Sequence, residues 1–338
     1  MIPGHGTAHA LRSRRHLGVA VLLSLVPALF LAAPARSAEP AWVRLLAPTK
    51  ARERPGPREP PMLALPVLDR EGGAIAVPVL RVATRSGQEW LKIRFGGDVG
   101  WIPADVTAAD EPAELPLALR ERLAALFDRA GGHAGAVIAD NSGRPLFARA
   151  PQTPRILASN TKLFTTGAAV AAFGSRIGGL LDRILRPSNN RLAQRLLNRL
   201  GRVGASTGPL LAEAFARNQG SRVTIADGSG LSRANRAAPG DVVRFLVGMR
   251  RQLAFATWLD ALPVAGFTGT LAGRMRNTAA ERVCQAKTGT LHDVSALSGY
   301  CTTVSGHRVV FSFLMNAIDP VAGRAIQDRM LAALVALG

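Results

Sequence analysis

The chain has 338 residues, with 42 basic against 23 acidic side chains, 48% hydrophobic residues and 2 cysteines. That length accommodates one large domain with a small one beside it, and the hydrophobic fraction excludes a charge-rich disordered chain. Two cysteines exclude a disulfide scaffold and a four-cysteine zinc site, and the formal charge of +19 is built from 38 Arg and only 4 Lys.

Residues 1–16 carry Arg12, Arg14 and Arg15 and no acid, 17–33 form an apolar run interrupted by Ser24 and Pro27, and Ala35-Arg36-Ser37 offers small residues for cleavage. This order predicts a secretory signal peptide over 1–38. Retention as a membrane anchor is the alternative, although seventeen apolar residues are short for a span. The protein is therefore expected to be exported, to the periplasm or the outer face of the cytoplasmic membrane or cell wall, where a disulfide is permitted. Residues 1–38 carry +4, 41–107 carry +3 and 108–338 carry +13. A basic exported surface suits polyanions of the cell envelope, although a compositional preference for Arg accounts for the same charge. Nucleic acid is not an expected partner, because no binding motif or set of stacking aromatics is present. His133, His292 and His307 are too scattered to suggest a metal site, and no cofactor is implied.

Residues 41–107 are short apolar runs broken by Pro and Gly, with no helical period. Residues 76–82 alternate loosely, 89–95 read as a strand, and Gly100-Trp101-Ile102-Pro103 reads as a turn-rich close. Short strands so spaced suggest a small all-β barrel. From Glu114 the pattern changes. Leu117, Leu119, Leu123, Leu126 and Phe127 recur at helical spacing before Gly131-Gly132, predicting a helix over 115–130. Residues 133–139 and 145–148 flank Asp140-Asn141-Ser142-Gly143 as a hairpin. Helices are predicted over 160–173, 190–200 and 209–218, three successive strands over 283–290, 295–304 and 308–315, and a last helix over 320–337. The whole reads as an α/β fold in which helices flank a mainly antiparallel sheet. If Thr290 pairs with Ser295, the register brings Cys284 opposite Cys301, a separation a disulfide can span.

Three short motifs follow one another, each with an ordinary structural explanation when taken alone. Ser159-Asn160-Thr161-Lys162 begins a helix, so Ser159 and Lys162 share a face and the amine can reach the hydroxyl. Ser188-Asn189-Asn190 opens another helix, where Ser or Asn is the usual cap. Lys287-Thr288-Gly289 lies on a strand, where Lys and Thr can hold a carboxylate and Gly lets a substrate backbone approach. Two of the 4 Lys occupy these motifs in a chain that otherwise chooses Arg. Arg stays protonated at neutral pH and could not act as a base at position 162.

Ser-x-x-Lys, Ser-x-Asn and Lys-Thr-Gly in that order are the motif set of penicillin-binding proteins and serine β-lactamases. The phrases PRILASNTKLFTT (154–166), DRILRPSNNRLAQRLL (182–197), DGSGLSR (227–233), GFTGTL (266–271) and CQAKTGTLHDVSALSGY (284–300) narrow this. They resemble the D-alanyl-D-alanine carboxypeptidases of the class C low-molecular-mass penicillin-binding proteins over nearly all of 115–338. One departure is large: only 29 residues separate Ser159 from Ser188, where that family carries long inserted domains. Residues 41–107, above all Glu89–Phe95 and Val99–Ala104, resemble bacterial SH3-like domains, which bind cell-wall peptide or dock a partner. The resemblance divides the chain into a signal peptide (1–38), an SH3-like module (41–107) and a catalytic domain (114–338). It implies a β-lactamase/transpeptidase-like fold with a helical subdomain, plus a small SH3-like barrel.

By this resemblance Ser159 is the nucleophile that attacks the D-Ala–D-Ala carbonyl and Lys162 is its general base. Ser188 relays a proton to the leaving amine, and Asn190 binds a substrate amide or steadies Lys162. Lys287 and Thr288 of the strand that includes Gly289 face the terminal carboxylate, and the amides of Ser159 and Thr290 form the oxyanion hole. The implied partners are the peptidoglycan stem peptide and β-lactams, the latter as covalent inhibitors. A peptidoglycan endopeptidase, a β-lactamase-like hydrolase and a non-catalytic wall-binding protein stay open as alternatives. Asp227 reads as a turn residue outside the catalytic set. Gly204-Ala205-Ser206-Thr207-Gly208 mimics a nucleophile elbow, but a helix precedes it where that elbow needs a strand.

Overall fold

Seven short strands open the described part of the chain: β1 (Trp42–Leu45), β2 (Thr49–Arg52), β3 (Pro61–Leu65), β4 (Ala76–Arg85), β5 (Gln88–Phe95), β6 (Asp98–Pro103) and β7 (Thr107–Ala109). The computed structural model describes residues 42–66, 76–95, 98–109, 114–204 and 206–336, so the leader expected over 1–38 lies outside the described residues. The strands pair antiparallel in the order β3-β2-β6-β5-β4-β1-β7. Alternating inward residues, among them Leu45, Leu65, Ile93 and Ile102, give this sheet its own apolar core. Residues 100–103, read as a turn, are strand instead. Gly100 made the sequence look loose, but a Cβ there would lie 2.8 Å from the Ala51 side chain, so the glycine admits a close strand neighbour.

The rest of the chain runs α1 (Leu117–Asp128), β8 (Ala134–Asp140), β9 (Pro145–Arg149), β10 (Arg155–Ile156), α2 (Thr161–Phe173), α3 (Gly178–Leu185), α4 (Asn190–Val203) and α5 (Gly208–Asn218). It continues with β11 (Val223–Thr224), β12 (Arg236–Ala237), α6 (Pro239–Met249), α7 (Phe255–Asp260), β13 (Cys284–Leu291), β14 (Val294–Thr302), β15 (Arg308–Asn316) and α8 (Pro320–Ala336). Five of these strands form an antiparallel sheet in the order β13-β14-β15-β8-β9. Along β15 the two-residue period splits the core. Phe311, Phe313 and Met315 pack towards α1 and α8, whereas Val310 and Leu314 pack towards α2 and α6. The sheet is thus covered on both faces, and β14 is buried over all its residues but Thr302.

The helices α3, α6 and α7 were not predicted. α6 is buried on almost every side, including Asp241 and Gly248, so no polar face marks its period. α7 is six residues long and α3 opens on Gly178-Gly179, a pair that reads as a breaker. β13 and β14 pair with Thr290 opposite Ser295 and Cys284 opposite Cys301, and the two cysteines are joined by a disulfide. Only His292 and Asp293 link these strands. The Gly204–Gly208 stretch connects α4 to α5, where no strand precedes a nucleophile.

Candidate active site

Ser159, the candidate nucleophile, sits where the chain is pinned from two sides. Ala158–Asn160 form one 3-10 turn that leads into α2, and Ala158 takes a left-handed φ of 46°, a conformation that surrounding contacts must sustain. On one side Asn160 Nδ2 donates to Lys287 O of β13 at 3.0 Å. A Cβ on Gly289 would lie 2.7 Å from Leu157 O and 3.0 Å from Asn160 Nδ2. Gly289 is therefore needed to seat the Ser159 turn against the strand, a use different from the substrate approach expected of it. On the other side Gly230, at φ +89°, would place a Cβ 1.9 Å from Ala158 O.

Lys162 is the second residue of α2, with no solvent exposure. Its Nζ is 2.8 Å from Ser159 Oγ, 2.8 Å from Asn190 Oδ1 and 2.5 Å from Ser229 O. Burial pushes its pKa down to about 7, against the opposing attraction of Asp227, and the positive end of α2 acts in the same direction as burial. Counting hydrogens then decides the geometry. A neutral amine has two N–H groups and one lone pair, and Asn190 Oδ1 and Ser229 O can only accept. In the neutral amine they take both hydrogens, which leaves the lone pair facing the Ser159 hydroxyl, whereas the protonated amine donates its third hydrogen to Ser159 Oγ.

Asn190 is the first residue of α4, and the cap is Asn189, whose side chain accepts from Leu192 N–H at 3.0 Å. Ser188 precedes it in a left-handed conformation with φ 60°. Its half-buried side chain makes no hydrogen bond among the described residues, so the predicted proton relay stands beside the Ser159–Lys162–Asn190 network without joining it. The carbonyl of Ser229 was missed by sequence reasoning, because any residue offers a carbonyl and only the chain path aims it. The aiming device is Asp227, whose carboxylate accepts from Ser229 N–H, Ser229 Oγ, Gly230 N–H, Ser232 N–H and Asn235 Nδ2. These bonds hold its pKa below the ordinary value despite the opposing cost of burial, so Asp227 is a loop organiser and a poor base. The DGSGLSR phrase was the one available signal for this loop.

Lys287, Thr288 and Thr290 lie along β13, the edge of the five-stranded sheet. Lys287 is fully buried and its Nζ donates to Thr288 O at 2.9 Å. Burial lowers its pKa well below that of an ordinary lysine, and the charge of Lys162 pushes the same way. Thr288 Oγ1 donates to Thr270 Oγ1 at 2.8 Å, which brings the GFTGTL phrase to the site. The first part of the edge is occupied, with Ala265 N–H bonded to Cys284 O and Ala286 N–H to Pro263 O, each at 2.9 Å. By the two-residue alternation of a strand, Thr288 and Thr290 also turn their main-chain groups to this edge. A cleft of about 450 Å³ opens beside the network, bordered by Asn190, Arg191, Gln194, Arg195, Ser229 and Leu231.

Several known proteins are similar to parts of this chain. A D-alanyl-D-alanine carboxypeptidase of Actinomadura sp. (strain R39) is 33% identical over 249 residues, 68% of this chain and 42% of that protein. The D-alanyl-D-alanine carboxypeptidase DacB of Haemophilus influenzae is 26% identical over 186 residues, 52% of this chain and 36% of that one. The chain thus spans less than half the length of these curated relatives. A class A β-lactamase structure from Bacteroides cellulosilyticus aligns with a TM-score of 0.55 at 15% identity, covering 64% of this chain and 95% of that one. That likeness establishes a β-lactamase-like α/β fold with an antiparallel sheet and flanking helices. Residues 176–337, which contain Ser188, Asn190, Lys287 and Thr288, match the model of the D-Ala-D-Ala carboxypeptidase 3 (S13) family, and this part of the chain is similar to the S13 peptidases.

Proposed function

We propose that this protein is a serine-type D-alanyl-D-alanine carboxypeptidase that trims peptidoglycan stem peptides through an acyl-enzyme. The observation that carries the reading is the Lys162 amine, 2.8 Å from Ser159 Oγ and held at a pKa of about 7. Lys162 takes the Ser159 proton as Oγ attacks the carbonyl of the penultimate D-Ala. The oxygen that becomes negative is received by the Ser159 and Thr290 amides. Lys287 and Thr288 receive the terminal carboxylate, and a carboxylate beside Lys287 restores the charge that burial disfavours. The peptide C–N bond breaks, the leaving D-Ala amine gains the proton that Lys162 took, with Ser188 as the expected relay only once bound substrate draws its hydroxyl into the network, and water then hydrolyses the ester on Ser159. β-Lactams enter as substrate mimics whose acyl-enzyme persists.

The same reading makes 1–38 a secretory leader, 41–107 an SH3-like module that contacts the wall, and 114–338 the catalytic domain. The charged start and apolar run support the first of these. The antiparallel strands with their own core support the second. The position of every motif residue beyond Glu114 supports the third.

The test incubates purified protein with a fluorescent penicillin and with a pentapeptide ending in D-Ala–D-Ala. Covalent labelling together with release of D-Ala is expected. Labelling without release overturns the carboxypeptidase reading in favour of another acyl transfer, and the absence of both overturns acyl transfer altogether.

A further inference from the structure

Away from this centre, a cavity of about 500 Å³ lies where β5 and β6 meet the end of α5 and the flank of α6, within the unit formed by Pro40–Gly338. Arg94, Arg217, Arg222 and Arg244 line it, together with Gln152 and Ser221. No lining residue belongs to the Ser159 site. Arg244 is paired, through Asp241 at 2.7 Å and Gly220 O at 2.9 Å. Asp241 is the acid in contact with the cluster, and it also accepts from Arg222 N–H at 2.8 Å. The guanidinium groups of Arg94, Arg217 and Arg222 have no acidic partner among the described residues, so the cavity carries an excess of about three positive charges.

A second, independent observation comes from Ser221. This residue is fully buried and its Oγ has no hydrogen-bond partner among the described residues. A buried hydroxyl left unpaired is costly, and Ser221 is among the residues that line the cavity, where rotation about χ1 would turn its hydroxyl to a ligand. We propose that the cavity is a binding site for a phosphate group, either free or borne on a larger envelope molecule. The arginines come from four separate places in the fold: Arg94 from β5, Arg217 from α5, Arg222 from the segment before β11 and Arg244 from α6. A planar carboxylate is satisfied by one guanidinium fork, whereas a tetrahedral phosphate offers oxygens to several at once, with one left for the serine hydroxyl. The lining contains no aromatic side chain, so nothing there stacks a nucleobase.

The test is calorimetric titration of the full exported chain with orthophosphate, with poly(glycerol phosphate) and with citrate, at low and at physiological salt. One saturable site is expected for each phosphate probe. Arg217→Gln and Arg222→Gln, both exposed positions, should each weaken it about tenfold, as loss of a charge-assisted hydrogen bond does. Ser221→Ala should weaken it by a smaller factor, and Arg122→Gln, an exposed arginine on α1, should leave it unchanged. If orthophosphate displaces the polymer, the phosphate group alone is the ligand; if the polymer binds far more tightly at the same residues, the carrier contributes. Either result supports the site. Non-saturable uptake, equal loss in Arg122→Gln, or citrate binding as tightly as phosphate overturns it and leaves only general basicity. Penicillin labelling plays no part in this titration, so its failure and that of the acyl-transfer reading are separate events.

Discussion

Replacing Lys162 by Arg tests the mechanism at its centre. The substitution keeps a positive charge and removes an amine that can be neutral near pH 7. With a pKa of about 7, half of the Lys162 amines are neutral at that pH. A guanidinium is neutral in fewer than about one molecule in 10⁵. General-base catalysis is typically worth ~10²–10⁴-fold, so acylation of Ser159 should slow by at least that order, about 3–5 kcal/mol of barrier. The structure adds a complication, because Lys162 has no exposure and three partners within 2.8 Å of its nitrogen. The bulkier Arg overfills that space, at about 1–3 kcal/mol of stability. Lys162→Met keeps the volume, removes the base without adding a fork, and serves as the second variant. The assay is the second-order rate of covalent penicillin labelling, with circular dichroism and thermal melting to establish folding, and the exposed Lys50→Arg as control. A folded Arg or Met variant that labels at the parent rate refutes Lys162 as the base.

Three further outcomes follow from the same geometry. Because the proposed mechanism uses the neutral form of Lys162, the acylation rate should climb as pH rises through about 7; in Asn190→Asp, a carboxylate placed 2.8 Å from Nζ should raise the lysine pKa by roughly 1–3. Its acylation should then fall roughly 5- to 500-fold at pH 7 and recover towards pH 9, and an unmoved pH–rate profile would count against the hydrogen-count argument. Gly230→Ala puts a Cβ 1.9 Å from Ala158 O at φ +89°, so urea denaturation should report a loss of at least ~2 kcal/mol, with slower labelling because the Ser159 turn is displaced. Replacing both Cys284 and Cys301 by Ala opens a link between residues 17 apart and should cost about 3 kcal/mol of stability; two titratable thiols in the denatured, unreduced parent protein would contradict the bond.

The sequence by itself supplied the motifs on which the proposed chemistry rests and the local elements that carry them. Scarcity of lysine made Lys162 and Lys287 conspicuous, and a spacing of three on a helix start was enough to join Ser159 to Lys162, because helix geometry is local. The late strands and the Cys284–Cys301 pairing were legible for a similar reason: a short hairpin has one sensible register, and that register fixes every partner along it. Helices α3, α6 and α7 were not legible, since a helix buried on all sides or only two turns long leaves no polar stripe. Only the tertiary structure decided that the carbonyl of Ser229, tied down by Asp227, takes a hydrogen from Lys162, that Ser188 stands outside this network, and that Gly289 and Gly230 are glycines because the nucleophile turn is wedged between them. A carbonyl has no residue type to betray it, and a close approach between segments separated by 70 or 130 positions has no period. Those contacts arise from packing, so they become visible only once the chain is folded around them.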